Sequence, residues 1–427
     1  MFLDRKTPYT SVLEARLPLA ALLLIVSLSL VPAVAHGGEI VTGLGSGGAP
    51  QVAVFDSGTL SELSSFLAYG PSFTGGVRVA VGDVNGDGVP DIVTGSGPGS
   101  PAHVKVFDGA SGSELRSFFA FDVSFTGGVY VAAGDLTGDG RADLIVGAGS
   151  GGAPHVKVFD AVTGSEIRSF FAYSALFSGG VRVAAGDVNG DGTVDIITGA
   201  GPGGGPHVKA FDGVTGAEIR SFFAYSPGFT GGVFVAAGDI NNDGKADIVT
   251  GADAGGTPHV KVFDGSTLAE LRSFLAESAG FTGGVRVAAG DLNEDGIADI
   301  VTATGADAPP HVSVFDGASG VLKGSFLAGA PNFTGGVYVA ATVFKPRTPP
   351  QRLEDLIATV EVDFPRSRDL LQSALGHLEA SQTMPACNML GAFINQVEAQ
   401  SGKSLTVEQA LEFNATAAHI RAELACR

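Results

Sequence analysis

Five nine-residue segments place oxygen-bearing side chains at one fixed spacing. They supply Asp83, Asn85, Asp87, Val89 and Asp91; Asp135, Thr137, Asp139, Arg141 and Asp143; Asp187, Asn189, Asp191, Thr193 and Asp195; Asp239, Asn241, Asp243, Lys245 and Asp247; and Asp291, Asn293, Asp295, Ile297 and Asp299. Positions 1, 3 and 5 bring side-chain oxygens to one side of a tight turn, and Gly at position 6 permits the sharp bend. Position 7 contributes a backbone carbonyl, whatever its side chain, and Asp at position 9 closes the shell. The logic is that of a shortened EF-hand loop, and an all-oxygen set with three carboxylates suits Ca²⁺ better than Mg²⁺. One such segment is an ordinary Asn-Gly-Asp-Gly turn; five in register predict about five calcium sites. Thr137 is a poorer ligand than Asn and predicts a weaker second site. With Asp instead of bidentate Glu closing the shell, affinities of roughly 10⁻⁴–10⁻³ M are expected.

The elements that position these loops repeat. Gly-Gly-Val begins at Gly75, Gly127, Gly179, Gly231, Gly283 and Gly335, every interval being 52 residues. In the unit from Val181 to Gly232, strands are predicted over Val181–Asp187, Asp195–Thr198, His207–Asp212 and Glu218–Tyr225, separated by Gly-rich or Asp-Gly turns. Four short strands per unit predict a β-propeller blade; a β-sandwich array or a solenoid is the competing reading. The chain enters at Glu39–Gly43, which matches a second strand, and leaves after Val337–Ala341, which matches a first. The N-terminus thus supplies strands two to four of one blade and the C-terminus its first strand, which predicts six four-stranded blades closed by pairing of the two ends. Closure removes exposed edges. The chain break falls inside the sixth loop, where Thr342-Val343-Phe344 replaces the acidic start.

Arg78, Tyr130, Arg182, Phe234, Arg286 and Tyr338 hold one repeat position and alternate cation with aromatic ring. Only an even number of blades lets that alternation close. With the first strand innermost these side chains meet near the axis, where Arg over an aromatic face is favourable. Duplication of a two-blade unit would give the same alternation without energetic meaning.

Composition bounds the rest. The chain has 427 residues, 44 acids against 25 bases and a net charge of −19, with 44% hydrophobic residues. Nucleic-acid binding needs the opposite charge balance, and the hydrophobic content excludes a disordered acidic tail. The five loops alone carry fifteen Asp, so the surplus charge reads as a set of metal shells. Residues 1–35 read as a signal peptide, with Arg5, Lys6 and Arg16 before an apolar run from Leu17 to Val31 and a small-residue cleavage site at Ala33-Val34-Ala35. An uncleaved anchor is the competing reading. The propeller is assigned to 36–345, a Pro-rich linker to 346–352, and a four-helix domain to 353–427. Its helices are predicted over Leu353–Val362, Ser367–Ser381, Ala386–Gln400 and Val407–Ala425, punctuated by Pro365, Pro385 and Gly402, with a Thr406/Gln409 capping box.

The repeat resembles the FG-GAP/VCBS repeats of integrin α-subunits and of exported bacterial proteins. The resemblance rests on Val183-Ala-Ala-Gly-Asp187 with its loop, on Gly199–Pro206, and on Val208-Lys-Ala-Phe-Asp212. It covers about residues 39–345 and implies calcium in the loops between strands one and two. Integrin propellers have seven blades, whereas six are counted here. Residues Ala386–Lys403 resemble the helical FIMAH domain of exported bacterial proteins. In that setting Cys387 and Cys426 are expected to form a disulfide, two buried thiols being the other reading.

Three tempting features have plainer readings. His103, His155, His207, His259 and His311 share one repeat position and read as packing or hydrogen-bonding residues. Phe118-Phe119 and its equivalents read as strand buried between blades, and Gly199–Gly205 as a flexible turn. No nucleophile–base constellation stands outside the repeats. The expected protein is a secreted or cell-surface monomer (periplasmic location being possible), with no transmembrane segment in the mature chain. It acts as a calcium-stabilised binding, adhesion or scaffold module for an extracellular protein or polysaccharide. A polysaccharide lyase or hydrolase on the propeller face is the alternative, and a purely structural module of a surface assembly is a third.

Overall fold

The computed structural model describes residues 38–342 without interruption, 368–380 and 382–401, and scattered positions between 353 and 426. Residues 38–342 form six four-stranded antiparallel sheets, the blades of a propeller. In the blade that begins at Val181 the strands are Val181–Gly186, Asp195–Ala200, His207–Phe211 and Glu218–Phe223, hydrogen-bonded in that order. The second strand runs two residues past the predicted end. Gly199 and Ala200 therefore belong to a strand and not to a flexible turn. A Cβ at Gly199 would come within 2.5 Å of the Val233 carbonyl of the next blade, so close approach of blades, not flexibility, selects glycine here.

The sixth blade is closed as the repeat phase requires. Val337–Ala341 from the C-terminal side pairs with Glu39–Leu44 from the N-terminal side, in the register Ile40 to Ala341 and Thr42 to Val339. Thr342 N–H donates to the Glu39 carbonyl at 3.0 Å and Glu39 N–H to Thr342 Oγ1 at 2.8 Å, which extends the seam by one residue.

First and second strands are buried on both faces, hence their near-continuous apolar character. The fourth strand is outermost and alternates. Phe118, Phe170, Phe222 and Phe274 turn inward and pack on Phe159, Phe211, Phe263 and Phe315 of the next blade, with ring centroids 4.7–4.9 Å apart. Their neighbours turn outward, and Phe119 is 49% exposed. The Phe118-Phe119 pair is thus only half buried, because a sheet's last strand has a neighbour on one face alone. The recurrent His residues pack and hydrogen-bond: His103, His155, His207 and His259 each place Nε2 2.7–2.9 Å from a serine Oγ of the adjacent fourth strand.

At the axis, Tyr130, Phe234 and Tyr338 form an edge-to-face triangle with centroids 6.2–6.4 Å apart. The arginines lie between them: the Arg182 guanidinium carbon is 4.8 Å from the Phe234 centroid and 5.3 Å from that of Tyr130. A double-mutant cycle with Arg182→Gln and Phe234→Leu is expected to show coupling of about 0.5–1 kcal/mol or more in urea unfolding. Strict additivity would leave duplication as the whole reason for the alternation.

Past the propeller, helices span Arg368–Glu379 and Thr383–Gln400. The second begins three residues before its predicted start. Pro385 stands inside its first turn, where a missing N–H costs nothing, and so does not separate helices. Leu371, Leu390, Phe393 and Val397 bury together with Leu353, Phe413 and Ile420. The first and fourth predicted helices fall largely outside the described residues, as do residues 1–35, the linker and the Thr406/Gln409 cap. The structure joins Cys387 to Cys426, with Cα atoms 5.6 Å apart.

Candidate metal centre

Each acidic segment connects the first strand of its blade to the second. In the segment at Asp187 the bend is made twice, since Gly190 (φ +79°) and Gly192 (φ +88°) are both left-handed. Position 4 carries the same demand in every loop, and Asn242 and Glu294 meet it without glycine, at φ +60°. The motif read from sequence demands a glycine bend only at position 6.

The loop wraps around its own first carboxylate. Asp187 Oδ1 accepts the amides of Gly190 (2.7 Å) and Asp191 (3.2 Å), and Oδ2 that of Gly192 (2.8 Å). Asp191 Oδ1 accepts the Thr193 amide at 2.8 Å. Asp195 at position 9 is fully buried. Its Oδ2 accepts the amides of Val188 and Asn189 (3.0 and 3.3 Å), and its Oδ1 that of Gly213 at the turn between strands three and four (2.9 Å). Burial raises the Asp195 and Asp247 carboxyls to about 6 and pushes Asp91, Asp143 and Asp299 up as well.

A further carboxylate joins from outside the nine-residue motif. Asn189 Nδ2 stands 3.0 Å from Asp191 Oδ2, 3.5 Å from Asp195 Oδ1 and 3.0 Å from Asp212 Oδ2. Asn85 meets Asp87 and Asp108 in the same way, and Asn241 meets Asp243, Asp247 and Asp264. Sequence reasoning missed the Asp108/Asp212/Asp264 series as site residues. The available signal was the return of Asp at the end of the third strand in every repeat, in phase with the loop.

The donor types fit a hard cation, because three carboxylate oxygens surround one amide nitrogen that a half-turn would replace by oxygen. As placed, with carboxylates bonded to loop amides, no three His, Cys, Asp or Glu side chains among the described residues stand closely enough to hold a metal. Two loops depart from the pattern. Thr137 offers no amide at position 3. In the last loop Asp299 Oδ2 is buried without a hydrogen-bond partner, and the Lys323 ammonium stands 3.7 Å from it and 3.8 Å from Asp316 Oδ2.

The loops also lace the blades together. In three loops the carbonyl of position 1 accepts the amide of position 8 in the following blade: Asp83 from Ala142, Asp187 from Ala246 and Asp239 from Ala298, each at 2.7 Å.

Residues 135–198 and 239–302 match the FG-GAP-like repeat and residues 75–112 the FG-GAP repeat. The chain is 29% identical over 185 residues to integrin alpha pat-2 of Caenorhabditis elegans, a match that covers 42% of this chain and 13% of that protein. It thus spans only a small fraction of that relative's length. Among solved structures it is similar to the exotype rhamnogalacturonan lyase YesX (TM-score 0.36, 16% identity, 65% of this chain and 57% of that one). It is similar also to the Dos1 propeller (TM-score 0.39, 13% identity, 68% and 72%). Among the described residues no helix is long and apolar enough to cross a membrane.

Proposed function

We propose that this ring of FG-GAP-like repeats is an exported calcium-binding module that presents a rigid propeller face to an extracellular protein or polysaccharide. The observation that carries the reading is the gathering of Asp191, Asp195 and Asp212 oxygens around Asn189 Nδ2, repeated in register at Asn241 and in part at Asn85. Resemblance to an integrin α-chain supports an extracellular or surface role. In each loop the residues at positions 1, 3, 5 and 9 and the carbonyl at 7 would hold the ion. Bound calcium supplies positive charge to carboxylates that burial otherwise penalises, and is structural in this role. Face specificity would rest on the loops that the ion stiffens.

Calorimetric titration of the full chain with calcium tests this. The expected stoichiometry is five, with the Thr137 and Lys323 loops filling last. Asn189→Ala is expected to remove one site and leave the others. Absence of a heat of binding, or a stoichiometry unmoved by Asn189→Ala, would refute the assignment. A glycan and protein array probed with and without calcium then reads the partner class.

A further inference from the structure

The three axial arginines are nearly alike in surroundings and unlike in charge balance. Arg78, Arg182 and Arg286 are 7%, 4% and 9% exposed. Each directs Nη1 at a carbonyl of its own blade: Ser96 at 3.0 Å, Ala200 at 3.3 Å and Thr304 at 3.4 Å. Each keeps a buried Nε without a partner. Arg182 alone has a carboxylate, that of Asp253, which reaches it from the following blade. Among the described residues no carboxylate forms an ion pair with Arg78 or Arg286.

Asp253 is the exception at its repeat position. The same place, one residue past the second strand, is held by Gly45, Gly97, Gly149, Gly201 and Gly305. A Cβ at Gly149 would meet the Gly127 carbonyl at 2.2 Å, and one at Gly45 would meet that of Gly335 at 2.0 Å. Around Asp253 the backbone yields. Its amide donates to the Gly232 carbonyl at 3.2 Å, against 2.8–3.0 Å at the five glycines, and Gly232 opens to φ +98°, against +72° to +86° at its equivalents. The chain accepts local distortion and thereby sets a carboxylate beside a buried guanidinium. By repeat symmetry, the residue facing Arg78 is Gly149 and the residue facing Arg286 is Gly45, and neither has a side chain.

We propose that the propeller axis is a carboxylate-binding site in which Arg78 over Gly149 and Arg286 over Gly45 each take one small carboxylate anion from solution, in the place that Asp253 occupies at Arg182. A buried cation lacking a counter-charge is costly, and guanidinium matches carboxylate two-pronged. The neighbouring phenol reports the same field. Burial alone would raise Tyr338, yet Arg78 and Arg286, with Arg182, bring it down to about 8. This occurs in a chain whose net charge is −19.

Equilibrium dialysis of the calcium-loaded full chain against labelled acetate tests the proposal. Wild type is expected to hold two acetates at saturation, Arg78→Gln one, and Asp253→Gly three. Asp253→Gly installs the residue found at five of six equivalent positions, so it serves as the readout even if Arg78→Gln does not fold. Acetate is also expected to move the Tyr338 phenolate absorbance step to higher pH, and Tyr338→Phe to abolish that step. No retained acetate in wild type, or the same number in wild type and Asp253→Gly, overturns the site.

Discussion

Melting curves in calcium and in EGTA are expected to differ by roughly 10–25 °C. The estimate follows from linkage. At 10 mM calcium and dissociation constants near 10⁻⁴–10⁻³ M, each filled site adds about 1.4–2.7 kcal/mol to the folded state. Five sites together add on the order of 7–13 kcal/mol, and a domain of this size converts each kcal/mol into about 1.5–2 °C. The direction also follows from the loops themselves. Asp195 and its four equivalents are buried and have their pKa values raised, so in the absence of a cation the folded state carries the cost of charging them. Magnesium should give a much smaller shift, since it demands tighter octahedral geometry. Superimposable curves in calcium and EGTA would sink the metal assignment while leaving the fold untouched.

The second large effect is expected at the seam. Ile40 is fully buried in the strand that the N-terminal side lends to the closing blade, where it sits opposite Ala341. Ile40→Ala should cost about 2–5 kcal/mol, through lost burial and the cavity left behind. Because this strand joins the two ends of the ring, the loss should lower the urea midpoint of the whole propeller with its m-value preserved. Ser64→Ala, at an exposed position on the outermost strand of the same blade, is the control and should stay within about 0.5 kcal/mol. An Ile40→Ala midpoint equal to that of the control would show that the seam does not hold the ring.

Much of this architecture was legible because the chain states it repeatedly. The six 52-residue repeats and the phase of the two ends lead to six blades, the alternation of Arg with aromatic residues requires an even number, and the sheets pair accordingly. What escaped was the outcome of blades meeting blades. Gly199 reads as loop from composition, yet it is strand glycine selected by the Val233 carbonyl. Phe119 reads as core from hydrophobicity, yet it lies on the open face of an outermost strand. In the metal loops the nine-residue motif was visible, but Asp108, Asp212 and Asp264 were not, because their approach to Asn85, Asn189 and Asn241 depends on a turn 23 residues away in sequence. The left-handed bend at position 4 was hidden where Asn242 and Glu294 replace glycine.

The hydrogen bonds from position 8 of one blade to position 1 of the previous blade have a collective consequence. Asp83 with Ala142 joins the first two loops, Asp187 with Ala246 and Asp239 with Ala298 join the last three, and a related contact from Gly38 to the position-2 carbonyl of Leu292 ties the last loop to the seam blade. The blades form a closed circle, but the acidic loops form an open row, because the seam blade has none. If the loops take calcium as proposed, occupancy of one loop is expected to bias a neighbour bonded to it, and linkage would make that bias mutual. The bonded loops fall into a pair, at Asp83 and Asp135, and a trio, at Asp187, Asp239 and Asp291, so filling should behave as two short rows with ends and not as a symmetric ring. The Asp83 loop, bounded by the seam, is one natural terminus of the shorter row.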